Sequence, residues 1–234
     1  MQGIVLIFFS MVFPLATPAA QRAKVGIQTY SALSKGADAR GGTQVIDGIA
    51  ARIDDDILTE SEVRELAAFQ TLVDGHAKPR ADLIRELADQ WIVRGEAAAA
   101  KYPEPSAADV DHAYAGLVKQ FPSQQEFERR CAAEGLSESA VRRLLEQQLF
   151  LSRFLDFRFR PAAQVDDQQL AAFYKNEFAP QLRERGQAIP PLADVEDTIR
   201  EVLVQRAINE RATAWLDDTR NRLKIDVLPQ GAGP

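Results

Sequence analysis

The residues of this chain that could do chemistry are few. They are an acidic triplet, Asp54, Asp55 and Asp56, two histidines, His76 and His112, and a single cysteine, Cys131. Calcium loops space their oxygen ligands at alternate positions, and three contiguous carboxylates do not reproduce that spacing, so the triplet reads as a solvated turn. Two histidines and one cysteine are too few for an ordinary zinc site of nitrogen and sulfur ligands, and no metal or cofactor is expected. No Ser-His-Asp or Cys-His arrangement is suggested, and there is no glycine-rich phosphate loop. Cys131 lies one helical turn from Phe127 and reads as a small core residue. His76, after Gly75, reads as a loop or cap residue. Glu60, Glu62 and Glu65 fall in the first turns of a predicted helix, where negative charge complements the helix dipole. No residue set points to catalysis, and no catalytic residue is assigned.

The conspicuous excess is aromatic. Phe150, Phe154, Phe157 and Phe159 crowd the end of one predicted helix, and Phe173, Tyr174 and Phe178 follow soon after. At helical spacing Phe150, Phe154 and Phe157 share a face, while Leu144, Leu145, Leu149 and Leu155 lie mainly on neighbouring sides. An apolar girdle of this kind is either buried all round, here against the C-terminal helix, or leaves a face for a guest. In the second case these aromatic residues would line a greasy groove for extended polypeptide segments, binding weakly and promiscuously because little hydrogen-bond geometry is involved.

The elements that must position these residues are mostly helical. At 234 residues with a net charge of −6, the chain can bury a real core, and it lacks the concentrated positive surface that a nucleic-acid partner requires. A lone cysteine excludes an intramolecular disulfide. Residues 4–13 form an apolar run broken by Pro14 and followed by small residues at 17–20, which reads as an export signal cleaved near residues 19–20, although no Lys or Arg precedes it. The run is too short to span a bilayer, so no stable membrane insertion of the mature chain is expected. A polar leader covers 21–43. After it, a first helix is expected from Glu60 to about Asp74, and a second, with Pro79 at its first position, carries Leu83, Ile84, Leu87, Ala88, Trp91 and Ile92. A third starts at Ser106 with Asp109, and a short fourth opens on the capping-box pattern Ser123 to Glu126. A long helix follows Ser137, and Asp166 is placed to cap the next. Residues 179–193 read as a linker. A long amphipathic helix over 194–223, about 45 Å at the α-helical rise, precedes an alternating strand at 224–228.

Residues 45–63, VIDGIAARIDDDILTESEV, organise the rest. Two β-prone runs flank an Asp-rich pivot, which favours chain reversal into a hairpin. Thr59 and Glu62 then have capping-box spacing, so the hairpin feeds straight into a helix. The stretch resembles the start of the mature SurA-type periplasmic chaperones, through Val45, Ile49, Ala50, Ala51, Ile53, Asp54, Ile57, Leu58, Ser61, Glu62 and Val63. The resemblance continues through the helical order, through Arg158-Phe159-Arg160-Pro161 and Val165 to Leu170, and through Phe173-Tyr174.

That resemblance implies a mainly α fold: a multi-helix chaperone core over 44–178, with a small N-terminal β-hairpin completed by a C-terminal strand. The long helix and strand of 194–228 would pack back on the N-terminal part, and 229–234 would be a tail. In the family one or two parvulin-type prolyl isomerase domains are usually inserted after this point. An independent domain rarely has fewer than about 50 residues, so the stretch at 179–193 cannot hold one, and no enzymatic activity is expected. What the resemblance implies for function is ATP-independent holding of unfolded or nascent exported polypeptides in the periplasm. Two other readings stay open: an accessory subunit that buries the aromatic surface in one dedicated partner, and a nominal prolyl isomerase without activity of its own.

Overall fold

The computed structural model describes residues 47–230. The expected signal and leader, Val45, Ile46 and the last residues of the tail lie outside the described residues. The architecture is mainly α, with a small antiparallel sheet that joins the two ends of the described chain.

Strand β1 (Ile49–Ile53) and strand β2 (Asp56–Thr59) form the hairpin. Asp54 turns it with φ 49°, a left-handed conformation that Asp tolerates better than most residues. The acidic turn is exposed but not idle. The Asp54 amide donates to the Lys224 carbonyl at 2.9 Å, and an Asp54 carboxylate oxygen accepts from the Lys224 amide at 3.0 Å. The Trp91 indole N–H donates to Asp56 at 2.8 Å. Strand β3 (Ile225–Val227) pairs antiparallel with β1, giving the order β2-β1-β3. The hairpin thus gains the third strand it needs, since a two-stranded hairpin alone is marginal in water.

Thr59 caps helix α1 (Glu60–Asp74) through the full reciprocal box with Glu62. Helix α2 spans Arg80–Ala99, with Pro79 one position outside it rather than within. Ala50, Ala51, Ile53 and Leu58 of the sheet pack on Val63 and Leu66 of α1 and on Leu83, Ile84 and Ala88 of α2. The other end of α1, at Phe69 and Leu72, enters a second core. That core is shared with helices α3 (Ala107–Val118), α4 (Gln124–Ala133) and α5 (Glu138–Phe159), and Cys131 is buried in it beside Phe127. The polar Gln70 is also buried, and it is satisfied on both sides: it accepts from the Lys78 amide and donates to Glu86. One cap departs from expectation. Ser123 accepts from the Glu126 amide, but the Glu126 carboxylate turns away to Arg129 and Arg130. Charge-assisted forks outcompete the neutral amide of a capping box.

The expected linker is helical at both ends, with a loop between. Helix α6 (Asp167–Phe173), capped reciprocally by Asp166 and Gln169, runs through a π-helical turn (Tyr174–Phe178) into helix α7 (Ala179–Glu184). The wide turn has a cause in the sequence. Pro180 lacks an N–H and would press on the carbonyl one α-turn earlier, and widening to the π spacing relieves that clash. Only residues 185–191 are left as a loop before helix α8 (Leu192–Arg220).

Helix α8 is not a simple amphipathic rod. Its buried residues are Ile199, Ile208, Ala212 and Leu216. At ~3.6 residues per turn, Ile199 and Ile208 lie roughly half a circle apart. The buried face therefore switches sides along a helix that packs on α2, α5 and α6. Arg200 near its start reaches Asp167 of α6, Gln205 at its middle donates to Asp156 of α5, and Arg220 at its end donates to Asp89 of α2.

Candidate functional site

The loop after α2 positions the central ring of the aromatic region. Lys101 adopts φ 51°, its amide donates to the Ala98 carbonyl, and the Tyr102 amide donates to the Ala97 carbonyl at 2.9 Å. This is the Schellman ending of a helix, with lysine where glycine is usual. The helices ending at Gly135 and Gly186 close by the same pair of bonds. Pro103 and Pro105 prevent α2 from continuing, and Tyr102 is turned onto α5.

There its ring meets three of the expected residues. The Tyr102 ring centre lies 5.9 Å from Phe150, 5.4 Å from Phe154 and 5.2 Å from Phe157. The pairs with Phe150 and Phe154 are edge-on, an arrangement favoured by the aromatic quadrupole. Exposure divides the three sharply. Phe150 is 7 % and Phe154 1 % exposed, whereas Phe157 is 59 % exposed. Phe157 is the outer layer of a cluster whose inner layers are core.

Two ion pairs involve the arginines next to this face of α5. Arg153 grips Asp109 through two bonds of 2.8 and 2.9 Å, and Asp109 also caps α3 through Ser106. Hydrogen bonds from Arg153 and Ser106 hold the Asp109 carboxyl well below the usual carboxylate range. On the other side Arg158 lies 3.1 Å from Glu96.

The other expected residues lie elsewhere. Phe159, half-buried, meets Trp215 of α8 at 5.8 Å, with the Arg158 guanidinium 4.6 Å from the Trp215 ring centre. Phe173, half-buried, lies under Arg206, which is forked onto Glu177. Tyr174 stacks on Phe178 at 6.0 Å and donates its hydroxyl to the Pro190 carbonyl at 2.7 Å. Among the described residues no ring contact joins these sets, so the expected aromatic residues fall into four separate sets, Phe173 being one by itself, rather than one lined groove. Tyr102 is the residue that sequence reasoning missed. Its signal was an aromatic side chain directly before a proline at a helix end, where only a tertiary contact could fix it.

Among the described residues no three His, Cys, Asp or Glu side chains converge as metal ligands would, and no helix is long and apolar enough to cross a membrane. No family model matches the chain, and no curated protein is significantly similar to it in sequence.

Proposed function

We propose that the protein is an ATP-independent holdase of the periplasm that binds unfolded exported polypeptides at the Phe157–Tyr102 surface. One observation carries this reading: a large aromatic side chain stands mostly in water on top of a fully packed aromatic cluster. A buried base makes the ring rigid, so little conformational entropy is lost when a client covers it. Burial of one such side chain contributes about 1.5–3 kcal/mol, or roughly one to two decades in affinity. That is the range of weak, reversible capture. Binding the unfolded state lowers its free concentration and competes with self-association.

One feature of the fold supports the resemblance to SurA-type chaperones on which the compartment and clients rest: the terminal strand completes the N-terminal hairpin. The chain departs from that resemblance between α7 and α8, where residues 185–191 leave no room for an inserted isomerase domain. The test is a titration of the chain into a dilute unfolded outer-membrane β-barrel protein, followed by light scattering. Suppression near stoichiometric ratios is expected, and it should weaken in Phe157→Ala with helicity unchanged. No suppression at large excess would sink the holdase reading.

A further inference from the structure

Where the C-terminal helix returns to the body, three charged groups meet. Arg220, in the last turn of α8, donates to Asp89 of α2 and to Asp217 one turn earlier in α8. The Arg220 and Asp89 side chains are only 12 % and 10 % exposed, and Asp217 is 55 % exposed. The contact ties positions 131 residues apart in sequence, and β3 begins a few residues beyond it.

The charges do not balance. One guanidinium serves two carboxylates, Asp89 buried beside it and Asp217 in contact with water. The charged groups facing Asp89 are Arg220 and Asp217 from α8 and Arg85 from α2 itself. Arg85 is exposed, so its help is screened by water. We propose that Asp89, Arg220 and Asp217 form a proton-operated clasp that holds the end of α8, and β3 behind it, more firmly to the body as the medium turns mildly acid. Once protonated, Asp89 still accepts from Arg220 through its carbonyl oxygen, and Arg220 is left with Asp217 as a balanced pair. A desolvated charge has been removed without losing the hydrogen bond.

The direction follows from linkage. Burial outweighs the attraction of Arg220 and pushes the Asp89 carboxyl up to about 6. A carboxyl raised in the folded state binds more protons there than in the unfolded chain at intermediate pH. Its contribution to stability therefore grows as pH falls through about 6, and levels off near the ordinary carboxylate value. Exposed pairs such as Asp109–Arg153 act in the opposite sense.

The clasp is independent of the holdase reading and is tested without a client. Urea unfolding of the whole chain would be followed from pH 7 to pH 5 for the wild type and Asp89→Asn. The folding constant of the wild type relative to Asp89→Asn should rise roughly ten-fold over that range. Asp217→Asn should reduce the rise, because the surplus charge is gone. A ratio independent of pH, or one that falls in acid, would overturn the proposal. If Asp89→Asn does not fold, carbon-13 titration of the Asp89 carboxyl in the wild type decides. A midpoint near 6 supports the clasp, and one in the ordinary carboxylate range overturns it.

Discussion

Replacing Phe154 by alanine removes a ring that is 1 % exposed and leaves a cavity under Tyr102. The expected loss is about 3–5 kcal/mol in denaturant unfolding. Phe157→Ala, one turn further along α5, should stay within about 0.5 kcal/mol of the wild type, and the pair of measurements checks which ring is structural. Lys101 offers a prediction of opposite sign. Its left-handed backbone costs roughly 1–2 kcal/mol for an ordinary residue, of which glycine gives back part through its greater chain entropy. Lys101→Gly should therefore raise stability by about 0.5–1 kcal/mol, read as a shift of the urea midpoint at constant slope. Helical spacing alone placed Phe150, Phe154 and Phe157 on one face, but it could not say which of them faces water. That depends on where Tyr102 comes to rest, and the chain fixes that through a cap in which lysine replaces the usual glycine.

Among elements, the helix starts were the most legible, because the capping side chains act within three residues of one another. Thr59, Ser106, Ser123, Ser137 and Asp166 all accept from the amide three positions on. Less legible were elements decided by distant partners. The helical course over Ala179–Glu184 was hidden because Pro180 reads locally as a breaker, and the π turn before it is the accommodation. Helix α8 has buried residues on opposite sides, Ile199 and Ile208, so a single-stripe reading misplaces Val202, which is exposed. β3 yields a prediction at this scale. Ending the chain after Leu223 removes the outer partner of β1 and the two Asp54–Lys224 bonds. Hydrogen exchange should then lose protection across β1 and β2, while α4 and the first half of α5, which belong to the second core, keep theirs. Equal loss in both regions would mean that the two cores unfold as one unit.

At the scale of the whole molecule, α1 belongs to both cores and α8 with β3 closes the chain back on its beginning. The mainly α class was legible because hydrophobic periodicity is a local signal; the pairing of the final strand with the hairpin was expected only from the resemblance, since no local pattern names a strand's partner. The division of the aromatic residues into four sets was not legible, because it depends on how α5, α6 and α8 cross. Among the described residues the exposed large apolar side chains are scattered: Ile57 and Val227 on the sheet, Ile189 before α8, Val202 within it, and Phe157, which alone of these rests on a buried aromatic base. Capture of unfolded chains through Phe157 is the central claim, and equilibrium binding of a fluorescent, permanently unfolded β-barrel segment tests it most directly. With Phe157→Asp, affinity should fall about ten-fold or more, while Ile57→Asp, an equally exposed apolar position on the sheet, should change it little. Equal affinities for the wild type and Phe157→Asp, with both chains folded, would contradict the claim.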